Sequence, residues 1–365
     1  MQSHRVLREI EIDRTPRVIQ LEGIFDLDVK TVSKREWTVS WELPETWNIG
    51  LIVGPSGSGK TAIIEDLFQD SIVNEFAWDD NKSVIDGFPA DVSIKEITGL
   101  LSSVGFSSPP SWLRPYRALS NGEQFRVTIA RALSERRDIT VIDEFTSVVD
   151  RTVAKVGSAA VAKAVRRQNQ KLIAVSCHYD IREWLEPDWI YEPHTGEFSA
   201  VRLRRPKIKL DVRKSDRTMW KLFRNHHYLN TEIHLAAQCF CAYYDGEPVA
   251  FAASIHQPHH TTKMMKREHR IVCLPDFQGV GIGNALSAFV GGYWKAKGFK
   301  YFSSTSHPAM ITARNNSKDW RMIRKPGFSS RLGKSTTEVS LAKTTATTRY
   351  ISSFQYVGKA RIVND

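Results

Sequence analysis

The chain has 365 residues, 41% hydrophobic and 25% charged, long enough for two domains that each bury a core without crosslinks. Its net charge of +11 is unevenly split: residues 1–200 carry 23 Lys/Arg against 30 Asp/Glu, and residues 201–365 carry 28 against 10. No apolar run reaches membrane-spanning length, the start MQSHRVLREIEIDRTPR lacks a signal peptide's apolar core, and Cys177, Cys239, Cys241 and Cys273 are too scattered for a disulfide framework, so a cytoplasmic protein without a membrane is expected.

Up to about residue 200, short apolar runs alternate with helical patterns: 50–53 before a helix from Thr61, then 139–142 and 172–176. That order predicts an α/β domain on a largely parallel sheet. The first run leads into Gly54-Pro-Ser56-Gly57-Ser-Gly59-Lys60-Thr61 and a helix, which is the context of a P-loop. Backbone N–H groups there cradle phosphates, Lys60 reaches the β and γ phosphates, and Thr61 ligates magnesium. Leu119-Ser120-Asn121-Gly122-Glu123-Gln124 precedes a helical run ending in Ala130-Arg131-Ala132-Leu133. The run 139–142 ends in two carboxylates, Asp143 suited to a magnesium-bound water and Glu144 to polarising an attacking water.

These motifs in this order resemble an ABC ATPase over about residues 20–200. The resemblance assigns Ser120, Gly122 and Glu123 to the nucleotide-contacting signature, Asp143 to the Walker B aspartate and Glu144 to the catalytic glutamate. It assigns 147–150 (Ser-Val-Val-Asp) to the D-loop and His178 to the switch histidine. ATP and Mg2+ are the implied ligands, and a single copy of each motif implies a homodimer that sandwiches ATP. Two departures stand out. The family's glutamine between the P-loop helix and the signature is missing from 76–86, where Asp79 or Asp80 is the candidate substitute. The aromatic that stacks on adenine is unassigned among Phe25, Trp37 and Trp41, each of which also reads as a core residue. A transporter role has little support, since a basic, catalytic-looking domain is fused in place of a membrane partner.

Residues 202–209 (RLRRPKIK) form a basic, proline-containing junction. It divides the chain into a first domain at 1–200, a linker at 201–209, a second domain at 210–330 and a Thr/Ser-rich C-terminal extension at 331–365. A helix is expected at 219–228, then β-runs at 236–244 and 248–255 joined through Asp245-Gly246, a strong hairpin signal. Cys239 and Cys241, two apart in the first run, are expected on one core-facing side. A strand at 270–274 feeds the turn Gln278-Gly279-Val280-Gly281-Ile282-Gly283 and a helix with Ile282, Leu286, Phe289, Val290 and Tyr293 at helical spacing. Another strand is expected at 300–304.

This succession resembles the GNAT acyltransferase fold over roughly residues 207–327, an α+β domain with a mixed central sheet. By that resemblance Gln278, Gly279, Gly281 and Gly283 hold the pyrophosphate of acetyl-CoA or another acyl-CoA; the alternative is a helix entry without a ligand. Acyl transfer to an amine needs proton transfer at the nucleophile and at the departing thiolate. Ser304, His307 and Asp319 are the catalytic candidates, with Tyr301 behind them.

His226, His227, His256, His259 and His260 cluster loosely in sequence, and solvated or substrate-contacting side chains are expected there ahead of a metal site. The stretch 225–229 (Asn-His-His-Tyr-Leu) weakly resembles the phage Mom group of GNAT-related enzymes, which modify adenine in DNA. Arg314, Lys318, Arg321, Arg324 and Lys325 interleave with Trp320 and Phe328, a pattern that suits gripping phosphates and stacking a base, or equally a solvated helix face with two core aromatics. With the basic second half, the leading reading is an ATPase coupled to acyl-CoA-dependent modification of a base in DNA or RNA. One alternative is a nucleic-acid-associated ATPase whose GNAT-like domain only binds. Another is an ATP-regulated acetyltransferase acting on a protein or a small amine.

Overall fold

The computed structural model describes residues 2–11, 13–26, 32–73, 75–227, 232–258, 264–328 and 350–362. The chain falls into two compact units. The first comprises 1–76, 135–149 and 165–205; the second comprises 77–134, 150–164 and 206–365. Strands and helices are numbered in chain order through both.

In the first unit, β1 (Gln2–Glu11) and β2 (Val32–Trp41) form a two-stranded antiparallel ribbon, with α1 (Pro16–Phe25) between them in sequence. Thr15 caps α1, Pro16 opens it and Asp26 closes it in the left-handed conformation, but the helix buries no residue. The main sheet has the order β4-β5-β3-β6-β7, formed by β3 (Ile49–Val53), β4 (Thr140–Ile142), β5 (Leu172–Ser176), β6 (Trp189–Glu192) and β7 (Glu197–Ser199). The first four are parallel and β7 is antiparallel to β6. Every residue of β3 and β5 is buried, which is why both read as continuous apolar runs. The core gathers Trp41, Trp47, Trp189 and Tyr191, and a β-carbon on Gly50 would stand 2.0 Å from the Trp189 ring. Helix α2 (Lys60–Leu67) follows β3.

The second unit holds α3 (Ile94–Ser103), α4 (Pro109–Trp112), α5 (Asn121–Ser134) and most of α6 (Arg151–Arg167), whose last turn belongs to the first unit, as does α7 (Arg182–Leu185). Its seven-stranded sheet contains β8 (Asp211–Ser215), β9 (Gln238–Tyr244), β10 (Glu247–His256), β11 (Met265–Cys273), β12 (Lys300–Thr305), β13 (Trp320–Phe328) and β14 (Tyr350–Tyr356). The spatial order is β13-β14-β12-β11-β10-β9-β8, antiparallel except for β11 beside β12. Helices α8 (Trp220–Phe223), α9 (Ile282–Ala296) and α10 (Pro308–Asn315) complete the unit. The β9–β10 hairpin turns at Asp245 and Gly246, both with positive φ, as the Asp-Gly signal predicts. Strand alternation sends Cys239 and Cys241 to one core with Trp220, Phe223 and Phe251, and Phe240 and Ala242 to the other, against Leu286, Val290 and Tyr293 of α9.

Three expectations change. The extension at 331–365 contributes β14, an interior strand between β13 and β12, because Ser352, Phe354 and Tyr356 alternate into the core. The basic, aromatic stretch ending at Phe328 is largely β13 rather than a helix face. The helix expected at 219–228 shrinks to α8 flanked by 3-10 turns at Arg217–Met219 and Arg224–His226; Tyr228 and Leu229 lie outside the described residues. Among the described residues no helix is long and apolar enough to cross a membrane.

Candidate functional site

The phosphate-loop motif closes on itself in the first unit. Val53 pairs with Ser176 of β5, and Gly54 N donates to Ser176 O at 3.3 Å. Gly57 and Gly59 take φ of 78° and 93°, and a side chain at Gly59 would also run into the Trp37 ring, 2.2 Å from the β-carbon position. Ser56 is exposed at the loop. Lys60 is buried, and its Nζ donates to Gly54 O and Pro55 O, each at 2.9 Å. The ammonium is thus held inside the loop that its backbone forms.

Across the sheet, Thr61 Oγ1 donates to Asp143 Oδ2 at 2.8 Å, while Asp143 Oδ1 accepts from Glu144 N at 2.8 Å. A hydroxyl and a carboxylate in contact offer the hard oxygen ligands that Mg2+ prefers, with the remaining positions left to water and phosphate. Glu144 has φ 49° and accepts a hydrogen bond from Ser147 Oγ. Phe145 N donates to Val175 O at 2.8 Å, which seats this turn on β5, and His178 follows β5 with its N–H on Ser176 Oγ at 3.1 Å. The phosphate loop, the carboxylate pair and His178 therefore leave the carboxyl ends of three adjacent parallel strands, the end of an open α/β sheet where ligands bind. Of the three aromatics considered for adenine, Trp41 is a core residue, Phe25 is exposed, and Trp37 lies against the phosphate loop.

In the second unit, Ser120 caps α5. Its Oγ accepts from Glu123 N at 3.4 Å, and Glu123 Oε2 accepts from Ser120 N at 3.0 Å, a capping box that holds the Ser120-Asn-Gly122-Glu123 stretch at a helix start. Asp150 Oδ1 accepts from the N–H groups of Thr152 and Val153 and so caps α6. Asp79 is occupied locally, accepting from Asn81 N at 2.9 Å and pairing with Lys82; the Asn81 bond leads the causes that hold its carboxyl below the usual range.

A second candidate site lies where β11 and β12 separate. Their parallel pairing spans only Met265–Lys300 to Arg267–Phe302, and the β10–β11 register shifts at Ala253/Ser254 so that His269 has no opposite residue. The bulge takes His269 out of the ladder, and its carbonyl accepts from Arg270 Nη1 at 2.9 Å instead. The turn before α9 has Gly279 at φ 87° and Gly281 at φ 98°. A β-carbon on Gly279 would collide with Ala160 and Gly105, at 2.6 and 2.8 Å, whereas one on Gly281 would meet nothing and one on Gly283 would make only an ordinary contact with Cys273. One side of the turn is packed and the other stays open at the start of a fifteen-residue helix, which suits a pyrophosphate. Gln278 is buried; its Nε2 donates to Cys273 O and its Oε1 accepts from Ser107 N, both at 2.8 Å. It shapes the turn.

The three catalytic candidates do not pair with one another. Ser304 is exposed and shares a 2.8 Å hydrogen bond with Ser353 of β14. His307 is buried with Nε2 3.0 Å from Ser107 O, and burial lowers its pKa, so the ring is neutral and donates through Nε2. Asp319 is exposed, and its carbonyl accepts from Val357 N and Gly358 N. Tyr301 is fully buried, and burial raises its phenol well above the usual range.

Two features escaped the sequence reading. Glu268 Oε1 accepts from Ser303 Oγ at 2.6 Å and Arg314 at 2.8 Å, its Oε2 accepts from Ser287 Oγ at 2.5 Å, and Arg314 also reaches Ser287. This ion pair is 1% and 5% exposed and fills the gap between β11 and β12. Arg314 lies 4.5 Å from the Trp320 ring, so neither belongs to the exposed basic set. The other feature is Arg126 of α5, 2% exposed, on the stripe it shares with Ala130 and Leu133. Burial pushes its guanidinium down to about 10, against the opposing pull of Asp276. An arginine on an apolar helical stripe was the available signal. Among the described residues no group of three side chains suits a metal; His227 is buried against Trp220 rather than solvated, and His259 and His260 lie outside the described residues.

Comparison with known proteins bears most directly on the second unit. Residues 236–329 match the family model of the acetyltransferase (GNAT) domain, a span that contains β9 to β13. The second unit carries a GNAT domain. No curated protein matches the chain. Among solved structures, the chain is similar to the dimeric ATP-binding cassette MJ0796 in a post-hydrolysis state bound to ADP and Pi, with 16% identity, TM-score 0.36, and 46% of this chain and 93% of that one covered. It is similar to a bacterial Atm1-family ABC exporter with ATP bound at 19% identity and TM-score 0.33, over 46% of this chain and 34% of that one. A further dimeric structure of MJ0796, described as a bacterial ABC transporter cassette, gives 17% identity and TM-score 0.34, over 44% and 89%.

Proposed function

We propose that the chain is an ABC-type ATPase coupled to acyl-CoA-dependent group transfer, with a nucleobase in DNA or RNA as the acceptor. The observation that carries the ATPase half is the contact of Thr61 with Asp143 beside a buried Lys60, with Glu144 and His178 at the ends of neighbouring strands. Gly54, Ser56, Gly57, Gly59, Lys60 and Thr61 hold the phosphates. Thr61 and Asp143 hold Mg2+, Glu144 orients the attacking water and His178 faces the γ-phosphate. Ser120, Gly122 and Glu123 serve the nucleotide of a second copy, so the working form is a homodimer. Residues 1–200 act as the ATPase module and 210–330 as the transferase module.

The transferase reading rests on the GNAT match and on the turn with its open Gly281 side. In it, Gly279, Gly281 and Gly283 hold the pyrophosphate of acetyl-CoA or another acyl-CoA, and Gln278, whose side chain is bound to Cys273 O and Ser107 N, shapes the turn instead of touching the ligand. The excess of 28 Lys/Arg over 10 Asp/Glu in residues 201–365 supports a polyanionic acceptor. So does the exposed end of β13 and β14, where Arg324 lies near Phe328 and Tyr350, whose rings meet at 5.5 Å.

A second reading, in which the GNAT domain only binds, is favoured by the separate commitments of Ser304, His307 and Asp319, which leave no joined acid–base pair among them. Mass spectrometry of nucleosides from cells expressing the intact chain, Lys60→Ala or Gly281→Glu separates the two. A modified nucleoside lost in both variants supports coupled transfer to a base. Unchanged nucleosides from a folded protein that hydrolyses ATP rule it out.

A further inference from the structure

Helix α5 starts at the proposed nucleotide-contacting residues and, one turn on, grips the proposed acyl-CoA turn. Arg126 Nη1 donates to Gly105 O at 2.9 Å and Gln278 O at 3.2 Å, and Nη2 donates to Asp276 O at 2.9 Å. The carboxylate of Asp276 approaches the first turn of the helix, 3.5 Å from where a β-carbon on Gly122 would stand. Gly279 packs on Ala160 of α6, the helix that begins at the D-loop residue Asp150. Both helices that start at the proposed nucleotide motifs therefore touch one side of the turn, through Arg126 and Ala160, and the Gly281 side faces open space.

A buried guanidinium cannot give up its acceptors cheaply, because an uncompensated buried charge is strongly destabilising. If α5 shifts when a nucleotide engages Ser120 to Glu123, Arg126 must carry Asp276 and Gln278 with it or the contact must break. Packed interfaces switch between discrete arrangements rather than deforming continuously. We propose that Arg126 couples nucleotide at the start of α5 to acyl-CoA at the 278–281 turn, so that each ligand alters the affinity for the other. The inference rests on the two-ligand reading above and assigns Arg126 as a positioning residue.

The test is calorimetric titration of the full chain with acetyl-CoA, without and with a saturating, slowly hydrolysed ATP analogue and magnesium, and the reverse titration. The acetyl-CoA dissociation constant changes about fivefold or more, and the nucleotide constant changes by the same factor, because coupling is reciprocal. Arg126→Lys and the milder Asp276→Asn still bind both ligands with the change reduced or lost; a purely structural role would lower the melting temperature and leave the coupling intact. Should Arg126→Lys not fold, Arg126→Gln, uncharged and with fewer donors at the same position, carries the comparison. Both ligands binding the native chain independently overturns the coupling and leaves the proposed function standing. Full coupling retained in the folded variants overturns the role of Arg126. Acetyl-CoA failing to bind at all removes the transferase reading and the coupling together.

Discussion

Thr61 Oγ1 and Asp143 Oδ2 are 2.8 Å apart, joining the first turn of α2 to the end of β4. If both ligate Mg2+, Asp143→Asn removes the charged ligand while leaving the phosphate loop intact. ATP hydrolysis then falls about a hundredfold or more, and binding of a fluorescent ATP analogue in EDTA is unchanged. Lys60→Ala, by contrast, loses the analogue as well. Equal hydrolysis by the native chain and Asp143→Asn would remove Asp143 from the metal site.

The Glu268–Arg314 pair supports a different expectation. Arg314 donates to Glu268, Ser287 and Ser303, and the only charge opposite it in this network is Glu268. Arg314→Met leaves a buried carboxylate without compensation and costs about 3–5 kcal/mol, read as a lower urea midpoint for the second unit. Removing both charges, with Glu268→Gln added, recovers part of the loss. A double variant as unstable as the single one would mean that packing on Trp320, not the ion pair, carries the stability.

Legibility in the sequence follows the distance over which each feature is encoded. The phosphate loop, the carboxylate pair after β4, the Asp-Gly hairpin and the glycine turn before α9 are each set by a few consecutive residues, and each reads directly. The Glu268–Arg314 bond spans 46 positions and the Arg126–Gln278 bond 152; Arg126 stands out on its apolar stripe, but nothing local names its partner. Strand β14 was read as tail because its inward positions include Ser352, so the alternation is partly polar. The ribbon of β1 and β2 was also missed, since its outward side chains include Leu7 and Ile10 and blur the two-residue period.

Acid stability depends on the histidines near β11. Burial leads the causes that lower His227 to about 3 and His269 to about 4, with Arg270 adding to both. Both rings are neutral in the fold above these values, whereas in the unfolded chain they protonate near the ordinary value of about 6.5. Above that pH neither state takes a proton and stability is unaffected. As pH falls from about 6.5 towards 4 for His269 and 3 for His227, the unfolded chain binds more protons and the second unit loses stability. His227→Gln reduces the slope by about half between pH 6.5 and 4, and removes what remains of it between 4 and 3, in thermal melts across pH 7 to 3. An unchanged slope would place the proton uptake elsewhere.

The basic surface yields a prediction about salt. Arg321, Arg324 and Lys325 are exposed on β13, with Arg321 also bonded to Gln355, and Phe328 and Tyr350 form an exposed edge-to-face pair beside them. If this end of the sheet grips single-stranded nucleic acid, log affinity for an oligonucleotide falls linearly with log salt, and each phosphate contact removed lowers the slope by about 0.7. Arg324→Ala and Lys325→Ala should therefore flatten the dependence stepwise for every sequence tested. Phe328→Ala should act differently, lowering affinity by about 1–3 kcal/mol per lost stacked base at any salt concentration while leaving the slope unchanged. Fluorescence anisotropy between low and physiological salt distinguishes the two signatures. Binding insensitive to salt, or slopes unaltered by both basic substitutions, would assign this face to solubility and move the acceptor of the GNAT domain towards a protein or a small amine.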